Sequence, residues 1–134
     1  MNTHRCLLLV LVALITVQSV KSADKAAPAA KETVVLQRVS VPGTDREMGM
    51  GIAEFPPNSA KPRQKAAGPE VLYVVEGEVA VQIKGQPAKV FRAGETFQLP
   101  ADVVHRTTAG SAGAKIVATW VYVPGKQFNF PVPN

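Results

Sequence analysis

Two side chains of complementary chemistry, Glu70 and His105, each follow a predicted turn of this 134-residue sequence. Glu70 follows Gly68-Pro69 and opens the apolar run Val71 to Val75, and His105 lies shortly after the turn Pro100-Ala101-Asp102. A carboxylate and an imidazole can share proton-transfer chemistry, because histidine titrates near neutral pH and a carboxylate can orient it. The same two side-chain types also bind divalent metals.

The number of further metal ligands or nucleophiles depends on the N-terminus. The chain has two histidines and one cysteine, and His4 and Cys6 both lie within residues 1–22. That segment carries a basic residue, then an apolar run, then small or apolar residues before a cut after Ser22, which predicts a secretory signal peptide. Its removal leaves His105 as the sole histidine and no cysteine. An uncleaved anchor is the alternative, although the run is shorter than the span of about 20 residues that a membrane requires.

The elements that must position Glu70 and His105 are predicted to be short β-strands. Eleven prolines and ten glycines divide the sequence into brief apolar or β-branched runs. No stretch shows sustained helical periodicity. We expect an all-β sandwich or barrel. The predicted strands are Thr33–Val39, Met48–Ala53, Val71–Val75, Val79–Ile83, Ala88–Phe91, Thr96–Leu99, Val103–Thr107 and Ile116–Val123.

Two details of this strand pattern affect the core. Glu76-Gly77 lies between two apolar runs and predicts a tight hairpin turn, and Ala109 to Gly113 predicts a loop of small residues. Met48 and Met50 alternate with glycines and are expected to fill gaps in the core. The predicted organisation is a signal peptide (1–22), a flexible leader (23–32), the barrel (33–127) and a C-terminal tail (128–134).

The stretch from Phe55 to Arg106 resembles the cupin superfamily, particularly its small single-domain exported members. One motif is the Pro-Pro loop at Phe55-Pro56-Pro57 followed by Gly68-Pro69-Glu70 and the strand ending at Gly77; the other runs from Gly94 through Pro100 to His105. The resemblance implies a small cupin-type β-barrel, a double-stranded β-helix or jelly roll. It also implies the dimer that is common in this family.

The resemblance further implies four metal-ligand positions, and this sequence fills two of them. Glu70 and His105 match the glutamate and the second-motif histidine. The two first-motif histidines fall on Gln64 and Ala66, or on Arg63 and Lys65 if the loop shifts by one residue. We therefore expect a degenerate metal site, in which Glu70 and His105, with Gln64 as a third candidate, form an incomplete ligand set. No cofactor is expected, although a divalent metal stays an alternative.

Strand geometry extends this site into a pocket. Alternate residues of a strand face the same side. If Glu70 faces inward, Leu72 and Val74 do so as well, and if His105 faces inward, Val103 accompanies it. We therefore expect Gln64, Leu72, Val74 and Val103 to contact a ligand, and Glu70 and His105 to act on it if the protein is a catalyst.

Three interpretations of Glu70 and His105 stay open. They can be an inherited structural pair, a metal-free acid and base, or the remainder of a metal centre. The first hypothesis for function is an exported barrel, periplasmic or secreted, that binds a small organic ligand. The alternative is a cupin enzyme of the dioxygenase or the isomerase and lyase kind.

The predicted partners follow from surface composition. A net charge of +5 is spread over dispersed basic residues, which does not favour nucleic-acid binding. No stable membrane anchor is expected after signal cleavage. The run Ile116 to Val123 is apolar on both faces, which is consistent with one face in the barrel and the other in a homodimer interface.

Overall fold

The computed structural model describes residues 26–134, and within them every regular element is a β-strand. The predicted signal peptide lies outside the described residues. The described part contains no helix long and apolar enough to cross a membrane. The strands are β1 Val34–Ser40, β2 Glu47–Phe55, β3 Gln64–Ala66, β4 Glu70–Ile83, β5 Lys89–Arg92, β6 Thr96–Leu99, β7 His105–Tyr122 and β8 Asn129–Pro131.

The strands β4 and β7 form the centre of the domain, because they pair antiparallel along almost their whole length. The first half of β4 pairs with β6, and the second half of β7 pairs with β2, which in turn pairs with β1. The second half of β4 pairs with β5, while the start of β7 pairs with β3, which pairs with β8. Two sheets therefore share β4 and β7 and face each other across the core, as a curled barrel requires.

The bend between the two sheets lies at a pair of glycines, and it corrects two expectations. The hairpin predicted at Glu76-Gly77 and the loop predicted at Ala109 to Gly113 are both wrong, since β4 and β7 continue through them. Gly77 and Gly113 have φ of 73° and 75°, and the ladder shifts register on either side of Gly77. A Cβ on Gly77 would lie 2.0 Å from the carbonyl oxygen of Gly113, so only glycine lets the strands bend together here.

The core fills the space between the two inner faces. Its most deeply buried side chains are Val74, Val79 and Ile116, of which at most 1% is exposed. The methionines of β2 are not part of it: Met48 and Met50 are 47% and 39% exposed on the outer face, contrary to expectation. The inner positions of β2 near its start are Gly49 and Gly51.

Both ends of the described chain pair with the barrel. The predicted leader reaches the barrel where the backbone N–H of Ala30 donates to the carbonyl oxygen of Ala60 at 3.0 Å. The predicted C-terminal tail contains β8, which pairs with β3. The two segments lie along the same edge of the domain as the pocket described next.

Candidate functional site

A cavity of about 260 Å³ lies between the two sheets and brings together side chains that are distant in sequence. Glu70 enters from the start of β4, His105 from the start of β7 and Gln64 from β3. Its floor is apolar and comes mainly from β2, β4, β6 and β7: Ala53, Phe55, Leu72, Leu99, Ile116 and Ala118. Further polar side chains also line it (Glu32, Thr33, Lys61, Thr107 and Asn129), so the cavity combines an apolar floor with several polar groups that could orient a small molecule.

The orientation of His105 is fixed by its own turn. Its ring Nδ1 lies 3.0 Å from the carbonyl oxygen of Val103, and because a carbonyl can only accept, Nδ1 carries the proton. Burial lowers the pKa of His105, and the bond to Val103 offsets this only in part. The imidazole is therefore neutral at pH 7, with 4% of the residue exposed and the lone pair of Nε2 available.

Glu70 is the most perturbed acid of the cavity. Burial raises the pKa of its carboxyl from 4.5 to about 7, and the positive charge of Lys61 lowers it in part. A carboxyl in water would be ionised at neutral pH, whereas Glu70 is divided between its two forms there. Such a group can both accept and release a proton under ordinary conditions.

Lys61 is a further titratable group at this cavity, and sequence reasoning did not identify it as a site residue. Its ammonium donates to the carbonyl oxygen of Lys31 at 2.8 Å and to Oγ1 of Thr33 at 3.4 Å. Burial lowers the pKa of Lys61, although Glu32 and Glu70 act against that effect. The side chain lies in an irregular loop, whose position depends on the bridge between Ala60 and Thr108, so no periodicity in the sequence points to it.

The predicted ligand-binding residues divide into two groups. Gln64 and Leu72 line the cavity with Glu70 and His105, and Gln64 lies directly opposite His105 in the ladder. Val74 is fully buried in the core and does not line the cavity. Val103 lies in the turn before β7, where strand alternation does not apply, and contributes its carbonyl to His105 instead.

The donor set at this site does not fit the metal centre that the cupin resemblance implies. The cavity is lined by one imidazole, His105, by the carboxyls of Glu32 and Glu70, and by two amides, and among the described residues no group of three histidine, cysteine, aspartate or glutamate side chains is placed to hold a metal ion. Catalytic zinc takes three protein ligands, commonly histidines, and the facial-triad iron sites take two histidines and a carboxylate. The ammonium of Lys61 lines the same cavity and would repel a cation.

Comparison with known proteins identifies the family to which this architecture belongs. The family model of the cupin domain matches residues 51–122. A dimethylsulfoniopropionate lyase, DddW of Ruegeria pomeroyi, is 36% identical over 81 residues, which cover 58% of this chain and 53% of the relative. The chain thus spans about half the length of that curated relative.

Solved structures show the same fold at low identity. The DMSP lyase DddQ of Ruegeria pomeroyi superimposes with a TM-score of 0.60 at 13% identity, over 75% of this chain and 51% of that one. An RmlC-like cupin from Shewanella frigidimarina gives a TM-score of 0.53 at 21% identity, over 70% of this chain and 87% of that one. With the family match over residues 51–122, the conclusion is plain: this chain belongs to the cupin family.

Proposed function

We propose that the barrel cavity binds a small organic acid and that Glu70 removes a proton from it, without a redox metal. The observation that carries this proposal is the half-buried carboxyl of Glu70 in the cavity, whose pKa of about 7 matches the requirement for a general base at neutral pH. Lys61 supplies a cation at the same cavity for the carboxylate of the substrate. His105 offers Nε2 as an acceptor that orients a substrate N–H or O–H.

The reaction class follows from this arrangement and from the curated relative, whose name describes a lyase acting on a propionate derivative. The ionised carboxylate of Glu70 takes the proton from the carbon next to the substrate carboxylate. The electron pair of that C–H bond forms a carbon–carbon double bond, and the leaving group departs from the adjacent carbon with its own bonding pair. Lys61 stabilises the negative charge that develops on the substrate carboxylate during this step.

Hydrogen–deuterium exchange at the α-carbon tests the chemistry even when the leaving group is unknown. Propionate and 3-substituted propionates, dimethylsulfoniopropionate among them, would be incubated with the protein in D₂O and followed by NMR. We expect exchange or elimination that rises as the pH passes about 7, because Glu70 must be ionised. Glu70→Gln should reduce the rate by about 100-fold or more.

The matched control is Glu76→Gln. In the wild type the side chain of Glu76 is 67% exposed and lies on the outside of the barrel near Lys115. It should leave the rate unchanged, because the substitution removes a carboxylate that does not line the cavity. Full activity in Glu70→Gln would contradict the proposal, since a group other than Glu70 would then have to accept the proton.

A second candidate function is binding without chemistry. It is favoured by one observation: the Nδ1 of His105 is held by the Val103 carbonyl rather than by a carboxylate, so the imidazole lacks the partner that activates a catalytic histidine. Ligand-induced stabilisation of the protein by organic acids, with neither exchange nor elimination, would support this candidate over the lyase.

We also propose that the protein acts after export, in a periplasm or in the medium. The support is the pattern of residues 1–22, with its basic start, its apolar run and the small or apolar residues before a cut after Ser22. N-terminal sequencing of the protein recovered outside the cytoplasm should begin at Ala23. A product that keeps Met1 would contradict the proposal.

A further inference from the structure

A second cavity of about 340 Å³ adjoins the first and shares Lys61, Glu70 and Ala118 with it. The two cavities therefore form one continuous cleft, whose outer part lies beyond the proposed acid–base site. This outer chamber contains side chains that the proposed proton transfer does not use. They are three aromatic residues (Trp120, Tyr122 and Phe128) and two cationic ones (Arg38 and Lys126).

The aromatic rings of the chamber are held in defined positions. The centroid of the Phe128 ring lies 6.3 Å from that of Trp120 and 6.4 Å from that of Tyr122. The hydroxyl of Tyr122 donates to Oε2 of Glu47 at 2.6 Å, which fixes that ring at the chamber wall. Phe128 thus contacts both of the other rings, and all three provide apolar aromatic surface to the chamber wall.

The indole of Trp120 owes its place to the glycines of β2. A Cβ on Gly49 would lie 2.5 Å from Cε2 of Trp120, and a Cβ on Gly51 would lie 3.1 Å from Cη2. The ring thus lies directly against the backbone of β2. This is why the inner positions of β2 are glycines and its methionines face outward.

The charges around the chamber favour an anion. Lys61, Arg38 and Lys126 are the cations that line it, and Glu32 and Glu70 are its carboxyls. Glu47, behind Tyr122, is bonded to the tyrosine hydroxyl rather than turned to the cavity. The positive charges therefore outnumber the negative ones along the cleft.

We propose that the cleft takes an aryl-substituted organic acid, with its carboxylate at Lys61, its aromatic ring against the surface formed by Trp120 and Phe128, and an acidic ring substituent at Arg38 and Lys126. A cavity of about 150 Å³ accommodates benzene, so the chamber has room for a ring and its substituent. The proposal rests on the proposed function in placing the carboxylate next to Glu70. It adds the class of substrate to that function.

Binding can be measured directly, because Trp120 is the sole tryptophan of the chain and its fluorescence reports on the chamber. The probes are 3-(4-carboxyphenyl)propionate, 3-phenylpropionate, 3-cyclohexylpropionate and tetramethylammonium, each titrated by calorimetry and by quenching of tryptophan fluorescence. We expect the dicarboxylate to bind most tightly and the cyclohexyl acid to bind more weakly than the phenyl acid. Tighter binding of tetramethylammonium than of the phenyl acid would overturn the proposal, because it would identify a cation site.

Charge variants test the outer anchor. Arg38→Gln with Lys126→Gln should weaken the dicarboxylate by about tenfold or more and leave 3-phenylpropionate unchanged, since only the former has an acidic ring substituent. The matched control is Lys89→Gln with Arg92→Gln, which removes the same charge from β5, outside the chamber. An equal loss for both acids, or an equal effect of the control pair, would overturn the assignment.

Two further variants keep this test independent of folding and of catalysis. Phe128→Leu alters the chamber wall from a segment after β7, outside the central strands, and it should weaken the binding of the aryl acids selectively. Titrations of Glu70→Gln protein should still show the preference for aryl acids. Glu70→Gln protein that binds aryl acids without turnover would support the proposed substrate class. Active wild-type protein without a preference for aryl acids would contradict the chamber proposal and leave the proposed proton transfer intact.

Discussion

Replacing Glu70 with glutamine should stabilise the protein at alkaline pH and leave it nearly unchanged at acidic pH. Burial raises the pKa of the folded carboxyl from 4.5 to about 7. Below pH 4.5 the folded and unfolded chains both hold the proton, and no penalty arises. As the pH rises from 4.5 to about 7, the unfolded chain releases the proton while the folded chain keeps it, so the stability of the wild type falls.

The magnitude follows from the size of the pKa change. Each pKa unit corresponds to about 1.4 kcal/mol, so a rise from 4.5 to about 7 corresponds to about 3 kcal/mol above pH 7. Glutamine has a similar shape and no charge to desolvate, and therefore avoids this penalty. His105 acts in the opposite direction between its lowered folded pKa and 6.5, but it is present in both proteins and cancels in their difference.

Urea denaturation of both proteins at pH 4, 5.5, 7 and 8.5 measures the effect. The difference in unfolding free energy should be near zero at pH 4 and should grow to about 3 kcal/mol by pH 8.5. The exposed control Glu76→Gln should change stability by less than about 1 kcal/mol at every pH. A constant difference between Glu70→Gln and the wild type across the range would refute the argument that Glu70 is desolvated.

Four other predictions concern the rest of the molecule. Lys61→Met should raise the pKa of Glu70 above about 7, because the positive charge of Lys61 stabilises the ionised carboxylate. NMR titration of the labelled Glu70 carboxyl measures this pKa, and a lower value in the variant would contradict the assigned role of Lys61. Gly77→Ala should destabilise the fold by more than about 2 kcal/mol in urea denaturation, whereas Gly85→Ala, at a φ of 78° where an added Cβ would meet nothing within 4 Å, should cost about 1 kcal/mol. We propose that the protein forms a homodimer through the outer face of β2, β4 and β7, where Met48, Met50, Val71 and Tyr73 form an exposed apolar surface without charges at its centre. Val71 is 56% exposed, and Val71→Lys should place a charge in this interface and yield monomers in analytical ultracentrifugation. Manganese, iron, nickel or zinc should not raise the midpoint of thermal unfolding, and a rise that His105→Ala abolishes would identify a metal centre.

The strands of the barrel could be predicted from the sequence because alternation and turn residues are local signals. Thr96–Leu99 has the predicted bounds, and the all-β cupin fold is confirmed. The continuity of β4 and β7 could not be predicted, since Gly77 resembles a hairpin turn unless its partner Gly113 is known. A pair of positive-φ glycines bends a strand only when the opposing strand bends at the same place.

The candidate site, like the fold, could be predicted from the sequence only in part. That Glu70 and His105 face one cavity followed from the cupin resemblance and from strand alternation. Lys61 and Phe128 come from segments without periodicity, and their proximity to Glu70 depends on long-range pairing. The pKa of about 7 at Glu70 likewise depends on burial, which no single position in a sequence reveals.

The shared strands β4 and β7 also determine when the pocket forms. Glu70 is the first residue of β4 and pairs with Trp120 of β7. His105, the first residue of β7, pairs with Ile83 at the other end of the same ladder. As the chain emerges from the ribosome, β4 is complete long before β7, and its edge stays open until the last strands arrive. Glu70, His105 and the aromatic wall therefore assemble in one late event rather than stepwise. A truncation that removes the second half of β7 should abolish the pocket and leave β4 as an aggregation-prone edge.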